Sequence, residues 1–541
     1  MPRILIADRL PEAVLNRFAG RAGLEIDNRA GITGEQLAEI LPDYDGLVVR
    51  SRTRVTAELL SRAGRLKVIG RAGAGVDNID LAEATRRGII VMNTPGGNTI
   101  AATEHTIALM LAALRKIPQA YLAMQQERWD RKSFLGTELY EKTVGIIGLG
   151  KIGREVARRL AAFGTNLLGF DPVITSELAE RLGVTLVDFD TLLEQSDIIT
   201  VHVPRMPETI NLINAENLQK CKPGVVLVNC ARGGIINEAA LLAALESGQV
   251  GAAALDVFES EPPKDWRLPT HPRVVATPHL GASTREAQAK VAEQILEQMA
   301  EYFQKQVARN AVNFVSVDES IQPLIAPYYS LAQALGAFFS QIRQGRIKEI
   351  RLRFYGEVNQ LPVDPIASHL MAAALHSPDH REVTLINPVN AMTVARDKGI
   401  EIEISRKDHP LTSHTNLIAC DFVTDQDEMH LAGTVYARGI NRLVELNQFS
   451  VDANLSGKMV VVFNEDVPGV IGRVGTLLGD HRINIACLSS GRHKASGSAC
   501  NIFNVEGAWN PDRLKAEIET MPHVQKVLLV ELAEENATAG S

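Results

Sequence analysis

The run Gly148-Leu149-Gly150-Lys151-Ile152-Gly153 restricts the fold of this chain more than any other feature. It follows the apolar stretch 143–147, which reads as a short buried strand. It leads into 154–162, whose apolar residues have helical spacing. Asp171, eighteen residues past the last glycine, ends a further apolar run at 166–170. The order is strand, glycine turn, helix, strand, acid. The first glycine permits a tight turn, the second lets the backbone approach a pyrophosphate, and the third lets helix and strand pack closely. The helix N-terminus supplies N–H groups and a positive dipole for the phosphates. A carboxylate at position 171 can accept from a ribose diol and repels a 2′-phosphate, which favours NAD over NADP. A GxGxxG run out of context is a weak signal and can be a plain turn; here each element of the context is present.

The length of 541 residues allows three or four domains. The formal net charge of −8 gives no electrostatic reason to expect nucleic acid or an anionic membrane as partner. No stretch is long and apolar enough to suggest a span, and Met1-Pro2-Arg3-Ile4 lacks the layout of a signal peptide. Cys221, Cys230, Cys420, Cys487 and Cys500 are scattered without metal-ligand spacing, so no metal is expected and a reducing cytoplasm is the expected setting.

Runs at 3–7, 46–49, 67–69 and 89–92 read as strands separated by amphipathic stretches, the rhythm of a parallel sheet. The segment 93–98 breaks it, and a long helix is expected over 99–115. A second α/β unit offers six strands: 143–147, 166–170, 198–203, 225–229, 252–255 and 274–276. Helical spacing over 283–303 suggests a return to the first unit. From about residue 312 the texture changes, with a strand at 349–355 and a helix at 364–375 but no glycine turn or catalytic constellation. Residues 458–531 read as strand, helix, two strands, helix and strand, which defines a ferredoxin-like module. The tail 535–541 reads as disordered.

A dehydrogenase acting on an alcohol needs a base for the hydroxyl proton, a cation for a carboxylate or developing carbonyl, and a group that tunes the base. In open α/β sheets such groups belong at the carboxyl ends of strands. Arg232 follows the strand 225–229 and is followed by two glycines; its planar fork suits a carboxylate. A surface arginine beside a loop is the alternative. Glu261 follows the strand 252–255 and His279 the strand 274–276; a carboxylate on an imidazole fixes its tautomer and stabilises the imidazolium. Most of the 13 histidines must be structural, but arginine, acid and histidine on successive strand ends single out this set. Asp256, at the end of its strand, is expected to hold the nicotinamide carboxamide, with a helix-capping or turn role as the alternative. Arg50-Ser51 and Arg71-Ala72-Gly73 follow strands of the first unit and could hold an anionic substrate group.

GLGKIG, HVP (202–204), NCARGG, ALDVFESEPP and TPHLGAS together resemble the D-isomer-specific 2-hydroxyacid dehydrogenases. RSRTRVT, GRAGAGVDNID and NTPGGNT resemble the branch of that family acting on 3-phospho-D-glycerate. The last module resembles an ACT domain, and the segment before it the intervening domain of the long members. The resemblance covers essentially the whole chain. It implies a Rossmann cofactor domain (98–282) inserted in a flavodoxin-like substrate domain (1–97 and 283–311). An α+β intervening domain (312–454), like an allosteric substrate-binding domain, and an ACT regulatory domain (455–534) follow.

The resemblance also implies Arg232, Glu261 and His279 as the catalytic set, with His279 taking the C2 hydroxyl proton while hydride leaves for NAD. Cofactor contacts map onto Gly148, Gly150, Lys151, Ile152, Gly153, Asp171, Cys230, Ala231, Arg232, Asp256, His279 and Gly281. Substrate contacts map onto Arg50, Ser51, Gly73 and Asn98, to which the residue-level reading adds Arg71. Arg131 is placed to reach a neighbouring subunit's phosphate pocket. Ala74 and Val203 stand where some relatives carry threonine. Asn464, Asp466 and Asn484 occupy positions at which some relatives bind inhibitory L-serine. The implied activity is NAD-dependent oxidation of 3-phospho-D-glycerate to 3-phosphooxypyruvate, the first step of serine biosynthesis, by a homodimer or homotetramer. The rivals are another D-2-hydroxyacid, such as 2-hydroxyglutarate or glycerate, and a non-catalytic NAD- or amino-acid-sensing protein. The base–acid pair speaks against the sensor.

Overall fold

Two parallel sheets built from consecutive strand–helix units form the first half of the chain. A computed structural model describes residues 1–18, 23–305, 307–315, 317, 321–376, 386–407, 414–436 and 439–534; the tail expectation for 535–541 lies outside them. The first sheet contains Arg3–Ile6, Glu25–Asn28, Gly46–Val49, Val68–Arg71 and Ile90–Met92 in spatial order 2-1-3-4-5. That is the flavodoxin-like order. Glu25–Asn28 was not expected from the sequence. It is a polar edge strand with a single pairing partner, so it lacks the apolar run that marks a buried strand. The helix Arg285–Lys305 returns to this sheet, where Ile295 and Met299 are fully buried against the strands carrying Gly46 and Gly70. Burying side chains of that size contributes about 1.5–3 kcal/mol each, enough to fix the return crossing.

The second sheet has seven parallel strands, one more than expected. In chain order they are Thr143–Ile147, Asn166–Phe170, Val184–Leu186, Ile198–Val201, Val225–Asn229, Val250–Leu255 and Val274–Ala276. Their spatial order is 3-2-1-4-5-6-7, the Rossmann arrangement with one added strand. The unexpected strand, Val184–Leu186, is a three-residue edge strand, too short to show a period. The order reverses between Thr143–Ile147 and Ile198–Val201, and that switch point opens the crevice where ligands bind. The helix Thr99–Leu114 packs against this sheet, and a second helix, Ile117–Gln125, follows a left-handed Lys116.

A mixed sheet of six strands, from Ile347–Tyr355 to Phe449–Asn454, follows under the helices Gln322–Ile342 and Val363–Ala374. The last sheet is antiparallel: Asn484–His493, Ser498–Glu506, Lys458–Glu465 and Val524–Glu531 in space. With Val470–Asp480 and Pro511–Glu519 on one face it has the ferredoxin-like layout. Its other face, through Met459, Val461, Cys500 and Ile502, joins the apolar core of the preceding sheet and helices. The Gln341 side chain accepts from the Glu531 N–H and donates to its carbonyl, so these two units share one continuous core. Among the described residues no single helix is long and apolar enough to cross a membrane, and no group of metal-ligating side chains converges.

Candidate active site

A cleft of about 950 Å³ lies between the two parallel sheets, lined by loops at the carboxyl ends of their strands. The second sheet supplies the glycine turn. Gly148 adopts a φ of 91°, which lets the chain leave its strand and turn into the helix Lys151–Ala161. A Cβ at Gly153 would overlap the Gly148 carbonyl oxygen, so the helix approaches the strand only because no side chain stands there. A Cβ at Gly150 would meet nothing within 4 Å: the helix N-terminus faces open space, as a pyrophosphate requires. Asp171 accepts from the Leu149 N–H at 2.7 Å through one oxygen and from the Val173 and Ile174 N–H groups through the other. It thereby clamps the glycine turn to the next strand. These features fit a dinucleotide. Lys151 reaches across to the Pro95 carbonyl at 3.2 Å, tying the turn to the other unit.

His279 sits on the loop after Val274–Ala276 in the left-handed region, with a φ of 54°. Its N–H donates to the Asp256 and Thr277 carbonyls, which hold this costly conformation. The ring Nδ1 lies 2.7 Å from Glu261 Oε2, while Glu261 Oε1 accepts from the Phe258 N–H. With its proton on Nδ1, the imidazole keeps Nε2 free to accept a proton from a ligand in the cleft.

Asp256 is tied to the loop that carries His279. It is fully buried, and its oxygens accept from the Leu280 and Gly281 N–H groups, both at 2.7 Å, and from Thr277 Oγ1. His105 Nε2 is 3.1 Å away. Burial pushes the Asp256 carboxyl up, but hydrogen bonds from His105, Thr277 and the two N–H groups outweigh it and hold the group below the ordinary carboxylate range. Asp256 therefore anchors the loop that carries His279, which is the turn role, and a carboxamide contact would have to share its lone pairs. Sequence reasoning missed His105, because 151 residues separate it from its partner. His202 also lines the cleft, but burial pushes it down to about 4 and Thr200 Oγ1 lies 2.9 Å from its Nε2, so it is a neutral structural histidine.

The cationic side of the cleft comes from both units. Arg232 Nε donates to Asp77 Oδ2 at 2.9 Å, and its Nη1 to the Ala231 carbonyl. The Arg50 N–H donates to Asp8, and burial lowers the affinity of the Arg50 guanidinium for its proton. Arg71 is the most confined. Burial, then the nearby charges of Arg232 and Arg50, push it down to about 10. Its Nε is buried without a partner, and its Nη2 reaches only Ser51 Oγ, at 3.4 Å. A Cβ at Gly73, whose φ is 147°, would overlap the Arg71 guanidinium. Arg50, Arg71 and Arg232 thus face one cleft, and only Arg232 among them has a carboxylate on its guanidinium, from Asp77; an anionic ligand would relieve the repulsion among the three. Asn98, Ile152, Cys230, Ala231 and Gly281 line the same cleft, as do Ala74 and Val203.

The expected effector residues are not one cluster. Asn464 pairs with Ala499 and Asn484 with Glu506, at opposite ends of the strand Ser498–Glu506. They are roughly 20 Å apart along the sheet, given the rise per residue of a strand. Asn464 is buried and accepts from Asn501 Nδ2 at 2.7 Å; Asp466 faces Arg492; Asn484 is exposed and donates to Glu506. Asn464 stands near the end of its strand and Asn484 at the start of its own; the two strands run parallel with a third between them, which sends these residues to opposite ends of the sheet.

Residues 107–281 match the family model of the D-isomer specific 2-hydroxyacid dehydrogenase NAD binding domain. Residues 324–447 match that of the D-3-phosphoglycerate dehydrogenase intervening domain, and 458–523 that of the ACT domain. The chain is 42% identical to the D-3-phosphoglycerate dehydrogenase of Archaeoglobus fulgidus, over 95% of this chain and 97% of that one. It is 40% identical to the enzyme of that name from Bacillus subtilis, over 98% of this chain and all of the other. A solved D-lactate dehydrogenase from Aquifex aeolicus, complexed with NAD and lactic acid, is 28% identical with a TM-score of 0.52, over 58% of this chain and all of that one. The glycine turn at a Rossmann switch point, the two further matched domains and the full-length likeness lead to one assignment: the chain belongs to the D-3-phosphoglycerate dehydrogenases, within the D-isomer specific 2-hydroxyacid dehydrogenase family.

Proposed function

We propose that this chain oxidises 3-phospho-D-glycerate to 3-phosphooxypyruvate with NAD, the entry to serine biosynthesis. One observation carries the choice of substrate: three guanidiniums, from two different units, converge on the cleft that holds the His279–Glu261 pair. A ligand with an anion at each end of a short carbon chain suits that distribution. In the reaction, His279 Nε2 takes the C2 hydroxyl proton, and Glu261 stabilises the imidazolium that results. Arg232 holds the substrate carboxylate and polarises the forming carbonyl. Arg50 and Arg71, with Ser51, Gly73 and Asn98 beside them, receive the phosphate. Bound NAD supplies the hydride acceptor. Gly148, Gly150 and Gly153 would cradle its pyrophosphate, Asp171 would face its ribose, and Lys151, Ile152, Cys230, Ala231, Asp256 and Gly281 would line its path.

The domain limits carried with this reading are 1–97 with 283–311, 98–282, 312–454 and 455–534. A homodimer or homotetramer is part of it, supported by the exposed apolar side chains Ile117, Tyr121, Leu122, Met124, Trp129 and Leu135 on one segment of the cofactor unit. Arg131, exposed on that segment, is the residue expected to reach a partner's cleft. L-serine as effector at Asn464, Asp466 and Asn484 requires a second copy to supply Asn484 to the Asn464 end. The test is NADH formation by purified protein with 3-phospho-D-glycerate, D-glycerate and D-2-hydroxyglutarate. Phosphoglycerate should give the highest kcat/KM by a wide margin. Preference for an unphosphorylated acid would overturn the substrate, and silence with all three would favour a sensor.

A further inference from the structure

The ion pair between Arg232 and Asp77 crosses the cleft. Arg232 follows the strand Val225–Asn229 of the cofactor unit, and Asp77 follows Val68–Arg71 of the other. Asp77 takes Nε, and the Ala231 carbonyl takes one Nη1 hydrogen. A guanidinium has five N–H donors, so the remaining Nη1 hydrogen and both on Nη2 form a free fork at its tip, the geometry that grips a carboxylate bidentately. Asn229 holds the backbone beneath: its Oδ1 accepts from the Ala231 N–H and its Nδ2 donates to the Arg232 carbonyl.

The next residue after Asp77 performs the matching task on its own side. Asn78 Nδ2 donates to the Arg50 and Thr53 carbonyls, both at 2.7 Å, and so fixes the loop that carries Arg50. One turn therefore touches the supports of two cations from two units. Gly75 belongs to the same device, because a Cβ there would overlap the Arg232 Nη2 group.

We propose that Asp77 is a positioning residue: it aims the Arg232 fork at the substrate carboxylate and, through the adjoining Asn78, sets the spacing between Arg232 and the Arg50 loop. The proposal rests on reading Arg232 as the carboxylate clamp. Asp77 is largely exposed, so the pair contributes little to stability, and its contribution is the direction it gives the guanidinium. Nothing in the sequence motif gives Asp77 this role.

The experiment compares full-length wild type, Asp77→Ala and Asp77→Asn in three readouts: the KM for phosphoglycerate, the KM for NAD, and Tm. Asp77→Ala should raise the substrate KM roughly fivefold or more, with the NAD KM within about twofold and Tm unchanged. Asp77→Asn should recover most of the loss, because an amide oxygen still accepts from Nε. An unchanged substrate KM in Asp77→Ala overturns the proposal, as does an equal rise in both KM values. A lowered substrate KM also overturns it, since Asp77 would then be competing with the carboxylate. Wild type inactive on phosphoglycerate strikes down the functional reading as well; an active wild type beside an unaffected Asp77→Ala strikes down this proposal alone.

Discussion

His279 Nδ1 lies 2.7 Å from Glu261 Oε2, while the backbone of His279 is held in the left-handed region by the carbonyls of Thr277, in its own loop, and of Asp256, at the end of the neighbouring strand. Ring orientation and loop conformation are thus fixed by separate sets of contacts. His279→Ala should lower kcat by roughly a hundredfold or more through loss of the general base. Glu261→Gln, which keeps a hydrogen-bond acceptor but loses the charge that steadies the imidazolium, should lower it by less. Steady-state rates of the purified variants check both, and unchanged turnover in His279→Ala would remove the base assignment.

Asp171 clamps the glycine turn through Leu149, and with Oδ1 taken by the Val173 and Ile174 N–H groups it keeps the second lone pair of Oδ2 for a ribose hydroxyl. Asp171→Ala should narrow the preference for NAD over NADP and weaken NAD binding. Measured kcat/KM ratios for the two cofactors decide it; an unaffected ratio would mean that another group reads the ribose.

Gly153→Ala places a methyl group against the Gly148 carbonyl oxygen. Overpacking at such a contact costs about 1–3 kcal/mol, and here it also moves the helix whose N-terminus faces the phosphates. A lowered Tm together with weakened NAD binding by calorimetric titration is expected. Gly150→Ala, whose methyl enters open space, should leave Tm nearly intact and weaken NAD binding alone.

His430 lies between two acids on the mixed sheet, with Nδ1 2.6 Å from Asp421 and Nε2 2.9 Å from Glu445. Hydrogen bonds to Asp421 and Glu445 push it up to about 9 from its ordinary 6.5. A raised folded-state value means that the imidazolium's contribution is fully present below the unfolded value and is lost as pH rises through about 9. Denaturant unfolding of wild type and His430→Gln should therefore differ most near pH 6 and converge by about pH 9. A difference that does not shrink with rising pH would contradict this.

The loops proposed to carry the chemistry were legible because the α/β architecture itself says where to look: Arg232, Glu261 and His279 each follow a strand of the second sheet, and all three reach one cleft. The glycine turn was legible because each glycine answers a local steric demand. What escaped the sequence depended on contacts between distant segments or on short edges. Glu25–Asn28 and Val184–Leu186 are edge strands without a buried apolar run. His105 gains its role only through Asp256, and Asp77 only through an arginine 155 residues away. The proposed effector residues illustrate the converse. Each sits at a plausible position beside its own turn or strand end, but the strand order and direction in the last sheet separate Asn484 from Asn464.

In the proposed reaction a hydride leaves the phosphoglycerate C2 carbon for NAD while His279 takes the hydroxyl proton. The most direct measurement gives the wild-type protein substrate deuterated at C2 and locates the label by mass spectrometry. The label should appear in the reduced cofactor, with none washed into solvent, and His279→Ala should transfer almost none in the same time. Label released to water, or a reduced cofactor formed without it, would contradict the account.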